Sequence, residues 1–173
     1  MAKKLMVDCD EVELKVKMDQ AIRWLENHLP GGNGPRGNAL VVLLASGTGF
    51  APIKALIEHM QHRGITRPAT LYWGGRRPAD LYMNDWVLAQ VAAMPNLRYI
   101  PVVSNALPED AWAGRTGLVH QAVVADFPDL SDTQVYACGA PIVVDSARTA
   151  YTQAGLPTDE FYADSFTSAA DKA

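Results

Sequence analysis

Val41-Val42-Leu43-Leu44-Ala45-Ser46-Gly47-Thr48-Gly49-Phe50-Ala51-Pro52-Ile53 is an apolar run that breaks into a glycine turn and resumes with a proline. Its Val and Leu content suits a strand, and the lack of polar alternation suits one buried on both faces. Gly47 and Gly49 carry no Cβ, so the backbone there can turn tightly and come close to a ligand. Pro52 suits the first position of a helix, where its missing N–H would have no partner anyway. The remaining free N–H groups and the positive end of the helix dipole make an anion site. Strand, glycine turn and helix in this order form a parallel β–α unit that receives a phosphate. The turn alone does not separate a nucleotide site from an ordinary β–α turn. Position 52 lacks the third glycine of Gly-x-Gly-x-x-Gly, and no Gly-Lys-Ser/Thr follows, Lys54 being the nearest lysine.

Beyond this segment the chain alternates. The pattern predicts strands over 40–46, 69–73, 97–103 and 134–138, with 160–163 as a final edge strand. It predicts helices over 51–63, 80–92, 118–125 and 141–154. Ile53, Leu56, Ile57 and Met60 share one face of the first helix. The predicted fold is α/β: a Rossmann-like, doubly wound parallel sheet of about five strands flanked by helices, over residues 39–173. Residues 1–38 read as an N-terminal extension. In it Val12, Leu14, Val16 and Met18 alternate with charged residues as in a strand, a short helix covers 20–28, and a Gly-rich linker covers 31–38. In doubly wound sheets ligands sit outside the carboxyl ends of the strands, at the topological switch point. The glycine turns after strands one, two and four all fall on that edge.

The 173 residues, 49% hydrophobic and 20% charged, suffice for one domain with an attached segment. A net charge of −4 gives no global positive field for nucleic acid or an anionic membrane surface. The apolar runs are short of a membrane span, and the first residues do not resemble a signal peptide. Cys9 and Cys138 provide neither a disulfide framework nor iron–sulfur spacing, so a reducing cytoplasm is expected. Hydrolase and metal chemistry find no pattern. Gly-x-Ser-x-Gly and His-Glu-x-x-His are absent, and His59 and His62 read as exposed helix histidines. No tyrosine has a lysine four residues on, which removes the short-chain dehydrogenase pair.

Three segments, Gly47-Thr48-Gly49-Phe50-Ala51-Pro52, Tyr72-Trp73-Gly74-Gly75-Arg76-Arg77-Pro78-Ala79-Asp80-Leu81-Tyr82 and Tyr136-Ala137-Cys138-Gly139-Ala140-Pro141, together resemble the nicotinamide-nucleotide domain of the ferredoxin–NADP reductase superfamily. The flavour is that of bacterial CDP-6-deoxy-glucoseen reductase-like and oxygenase reductase-component flavoproteins. The resemblance covers residues 39 to 166. It implies that Gly47, Thr48, Gly49 and Pro52 face the pyrophosphate of NADH or NADPH, and that Gly74, Gly75 and Arg76 lie at the adenosine ribose. It implies that Cys138 stands against the nicotinamide in a positional, non-covalent catalytic role, with Gly139, Ala140 and Pro141 giving close backbone access. Phe166 matches the region that lies over the flavin ring. Glycines in place of a Ser or Thr beside Arg76 favour NADH.

On the residues alone, Thr48 reads equally as a helix cap and Cys138 as a small core hydrophobe. Arg77 reads as a solvated charge, Asp80 as the cap of the next helix, and Asp145 as a helix residue without chemistry. The resemblance implies FAD in the parent enzyme or a partner, bound by a β-barrel of about 100 residues that residues 1–40 do not supply. Two functions follow. In one, an oxidoreductase passes hydride from NAD(P)H to a flavin in a flavin-binding domain or flavoprotein, and on to an iron–sulfur or haem acceptor. In the other, the chain is a non-catalytic NAD(P)-binding or regulatory module.

Overall fold

The computed structural model describes residues 39–165. The extension over 1–38 and Phe166 lie outside the described residues. Six strands, β1 (Leu40–Ser46), β2 (Ala69–Gly75), β3 (Leu97–Val103), β4 (Arg115–Thr116), β5 (Thr133–Gly139) and β6 (Phe161–Ser165), form one sheet in the order β4-β3-β2-β1-β5-β6. Every pairing is parallel. The helices are α1 (Phe50–His62), α2 (Asn84–Ala93), α3 (Val119–Asp126) and α4 (Pro141–Gln153). No helix among the described residues is long and apolar enough to cross a membrane.

The chain lays down β1 to β4 outward in one direction, then returns to place β5 on the other side of β1. That reversal makes the gap between β1 and β5 the switch point. It also puts helices on both faces. Phe50, Ile53, Ile57 and Met60 of α1 and Val87 of α2 pack with Val41, Leu43 and Ala45 of β1. Val123 of α3 and Val144 and Tyr151 of α4 pack with Val42 and Leu44 on the opposite face. β1 is therefore buried on both sides, which accounts for its unbroken apolar run.

Two departures from the sequence reading concern short elements. A sixth strand, β4, pairs Arg115 and Thr116 with Val102 and Val103; two residues are too few to show a period. α2 begins at Asn84 because Pro78–Asp80 forms a separate 3-10 turn before it.

At the amino ends of the strands, the buried Arg67 donates from Nε and Nη2 to the Ala39 carbonyl (3.1 and 2.7 Å) and from Nη1 to Gln134 Oε1 (2.7 Å). Gln134 Nε2 donates to Glu160 Oε2 at 2.7 Å. One polar network thus ties the starts of β1, β2, β5 and β6 at the edge opposite the glycine turns.

Candidate functional site

The two glycines of the first turn are required for different reasons. Gly47 has φ 53, and a Cβ added there would meet nothing within 4 Å, so its backbone faces open space. Gly49 has φ −60, which any residue adopts. A Cβ on Gly49, however, would stand 2.3 Å from the Cys138 carbonyl oxygen and 2.6 Å from Gly139 Cα. Gly139 returns the contact, since its own Cβ would lie 2.6 Å from Ser46 Cβ. The turns after β1 and β5 are interlocked across the switch point. The neighbour that demands Gly49 is the end of β5, a protein backbone and not a ligand.

Beneath this turn, Trp73 donates from Nε1 to the Gly47 carbonyl at 3.1 Å. Its ring stacks on Phe50 with centroids 3.9 Å apart and planes within 12°, and the edge of Tyr82 closes the cluster at 5.3 Å. The Gly47 carbonyl is thereby held toward the protein. Thr48 is exposed, and its side chain caps no helix end. Pro52 is the third residue of α1 and not its first, because the 3-10 turn Gly47–Gly49 runs straight into the helix and the Phe50 N–H donates to the Gly47 carbonyl.

The ends of β2 and β3 form the second part of the rim. A Cβ on Gly74 would meet Val119 Cβ at 2.7 Å, and one on Gly75 would meet Asp80 Cβ at 2.9 Å, so both glycines admit neighbouring protein. Asp80 does not cap α2. Its Oδ2 accepts from the backbone N–H of Arg76 (2.8 Å) and of Arg77 (2.9 Å), filling the concavity of two successive amides. Arg77 is not a solvated charge either: it donates from Nε and Nη2 to the two Asp110 oxygens at 2.7 and 2.8 Å. That fork, with the Leu107 N–H behind it, holds the Asp110 carboxyl below its ordinary range. Arg76 keeps an exposed guanidinium with no side-chain partner among the described residues. Ser104 and Asn105, which sequence reasoning missed, join this rim through their N–H bonds to the Gly75 and Arg76 carbonyls, both 2.9 Å. The signal for them was the register of β3 on β2, invisible without the sheet order.

The third part is the end of β5. Cys138 is buried at 3% exposure, in the core that holds Phe50, Ile53 and Tyr136. Its register partner on β6 is Asp164, an acidic residue at the rim that the sequence reading did not single out. Ala140 is exposed, and Pro141 opens α4. Among the described residues, three of the four large exposed hydrophobics, Tyr82 (53%), Leu118 (50%) and Ile142 (73%), flank strand ends on this edge.

Other candidates stay apart from the rim. Asp145 is exposed along α4. His62 is exposed as expected, but His59 is only half-exposed, and its Nε2 is buried without a hydrogen-bond partner. No cluster of three metal-ligating side chains occurs among the described residues.

These three parts combine an open glycine backbone at a helix start, an exposed cation at the neighbouring strand end and a buried thiol on the other side. The spacing fits an elongated anionic ligand laid across the sheet edge. Comparison with known proteins identifies the family of the fold. The chain is 38% identical over 143 residues to the CDP-6-deoxy-L-threo-D-glycero-4-hexulose-3-dehydrase reductase of Yersinia pestis, covering 77% of this chain and 42% of that protein. It is 37% identical over 147 residues to the reductase component 1 of terephthalate 1,2-dioxygenase from a Comamonas species, covering 82% and 43%. The chain thus spans less than half the length of these relatives. Among solved structures, the Amycolatopsis cytochrome P450 reductase GcoB superposes with a TM-score of 0.69 at 27% identity, over 80% of this chain and 40% of that one. Residues 43–149 match the family described as the oxidoreductase NAD-binding domain, and the chain belongs to that family.

Proposed function

We propose that the rim binds reduced nicotinamide dinucleotide and that the chain is the hydride-supplying half of a flavoprotein electron-transfer reductase. The observation that carries this is the contact of Gly49 with the Cys138 carbonyl, which joins the phosphate turn to the Cys-Gly-Ala-Pro turn as one surface. Adjacent strands lie about 4.8 Å apart, so a dinucleotide centred over β1 reaches the ends of β2 and β5 at once. Gly47 and the α1 start receive the pyrophosphate. Arg76, with Ser104 and Asn105, meets the adenosine ribose.

Cys138, Gly139 and Ala140 border the nicotinamide ring, where Cys138 fixes ring position without a covalent bond. When bound, the coenzyme supplies a hydride to a flavin held by a flavin-binding domain or a separate flavoprotein. The protein contributes orientation, and the apolar side chains of Ile142, Leu118 and Tyr82 exclude water once that partner covers them. An iron–sulfur or haem acceptor then takes electrons singly.

NADH is the favoured coenzyme. The Asp80 carboxylate already occupies the two amides that a 2′-phosphate would seek, and its charge opposes a second anion beside Arg76. Asp80→Asn keeps the acceptor and removes the charge. NADPH affinity then rises about fivefold relative to NADH, the scale of one charge a few ångströms away in a half-solvated site. An unchanged ratio refutes this basis for selectivity. The proposal as a whole is tested by titrating the full chain with NADH and NADPH, then assaying NADH-driven ferricyanide reduction with a flavoprotein supplied. Failure to bind either coenzyme overturns it; binding without electron transfer leaves the dinucleotide module alone.

A further inference from the structure

We propose that Arg77 and Asp110 are positioning residues whose fork presets the 104–117 segment as a wall for the half of the coenzyme distal to Cys138. This rests on the coenzyme reading above. The segment is secured at both ends: Ser104 and Asn105 bond to the β2 end, and the Gly117 N–H donates to the Val103 carbonyl at 3.1 Å. Its tip is different. There Asp110 accepts two parallel bonds from Arg77 while also accepting the Leu107 N–H at 2.8 Å, which closes the 3-10 turn Pro108–Asp110. Glu109 adds its charge 3.6 Å from the same guanidinium. The next residue, Ala111, is held at φ 46, a conformation that a non-glycine residue keeps only where its surroundings impose it.

Arg77 needs no fork to hold its own turn, because the Asp80 carboxylate fixes the amides of both arginines. The side chains therefore divide the work. Arg76 stays free beside the ligand, and Arg77 is spent on the loop that faces it. A planar fork holds a carboxylate in orientation as well as position, which a lysine does not. Releasing it lowers the fraction of molecules with the wall in place, and apparent affinity falls by that fraction. Only ligands that touch the wall are affected.

The test is calorimetric titration of the full chain with NADH, ADP and reduced nicotinamide mononucleotide. Arg77→Met is expected to weaken NADH and ADP binding by the same factor, about fivefold, with the mononucleotide unchanged. Arg77→Lys should recover only part of the loss. Asp110→Asn should match Arg77→Met, and the double variant should lose no more than either single one. Thermal midpoints are expected to stay within about 4 °C of wild type, as for one surface pair. Unchanged ADP affinity in Arg77→Met, or an equal loss for the mononucleotide, overturns the clamp. A wild-type chain that binds NADH while both Arg77 variants bind ADP normally refutes the clamp alone; one that binds no NADH overturns the coenzyme reading with it.

Discussion

Replacing Gly49 with alanine isolates one physical effect. At φ −60 and ψ −4 the residue already has a backbone that alanine prefers, so conformation adds no strain. The new methyl would sit 2.3 Å from the Cys138 oxygen, 2.5 Å from its carbon and 2.6 Å from Gly139 Cα. All three atoms are backbone, in a strand buried on both faces, so no rotamer change relieves the overlap. The turn has to retreat by about 1 Å to restore ordinary contact. Overpacking of this kind costs about 1–3 kcal/mol. For a domain of this size that is about 3–10 °C in thermal midpoint. The same retreat separates the two turns that share the coenzyme in the proposed site, so NADH affinity is expected to fall as well. Gly47→Ala is the comparison that replaces overlap with backbone strain. It meets no atom, but φ 53 charges it about 1–2 kcal/mol for the left-handed conformation. Scanning calorimetry and NADH titration of both variants decide the matter. Should Gly49→Ala melt and bind like wild type, the interlock of β1 and β5 is not what the glycine serves.

Three further outcomes are expected. Cys138→Ser should bind NADH normally but transfer hydride about tenfold more slowly with a flavoprotein supplied, as misplacement predicts; stopped-flow rates equal to wild type would make Cys138 a core residue only. Arg67→Met leaves the Ala39 carbonyl and Gln134 Oε1 without their buried donor. The cost of about 3 kcal/mol should lower the thermal midpoint by roughly 6–12 °C without altering NADH affinity, because the network lies at the far edge of the sheet. The third concerns acid. The Arg77 fork and the Leu107 N–H hold the folded Asp110 carboxyl below the ordinary aspartate range, so the fork is complete above that range and is lost only as pH falls below it. The wild-type advantage over Arg77→Met in ADP binding should therefore be flat from about pH 5 to 8; its disappearance inside that interval would refute the assignment.

The frame of the fold was legible because its elements announce themselves by period and punctuation. The β1 run is long, apolar and followed by a turn, and burial on both faces leaves it no reason to alternate. The two-residue β4 has no period to read, and the start of α2 was misplaced because Asp80 has the chemistry of a cap. What decided its role was local: the amides of Arg76 and Arg77 lie nearer to its carboxylate than those of α2 do.

The site was legible by type and not by contact. Gly47 and Gly49 look alike in the sequence, yet one is dictated by its own dihedral and the other by Cys138, 89 positions away in the chain. Arg76 and Arg77 are adjacent, and only the loop after β3 distinguishes them, since Asp110 reaches back to one and leaves the other exposed. Asp164 enters the rim solely through the register of β6 on β5. Each of these facts depends on strand order, which places sequence-distant backbone at van der Waals distance. In the proposed site Gly47 admits a ligand and Gly49 admits a strand, and the two differ in what surrounds them. Variants at Gly47 and Gly49 therefore separate the two roles: the first should harm ligand binding more than stability, and the second should harm both together.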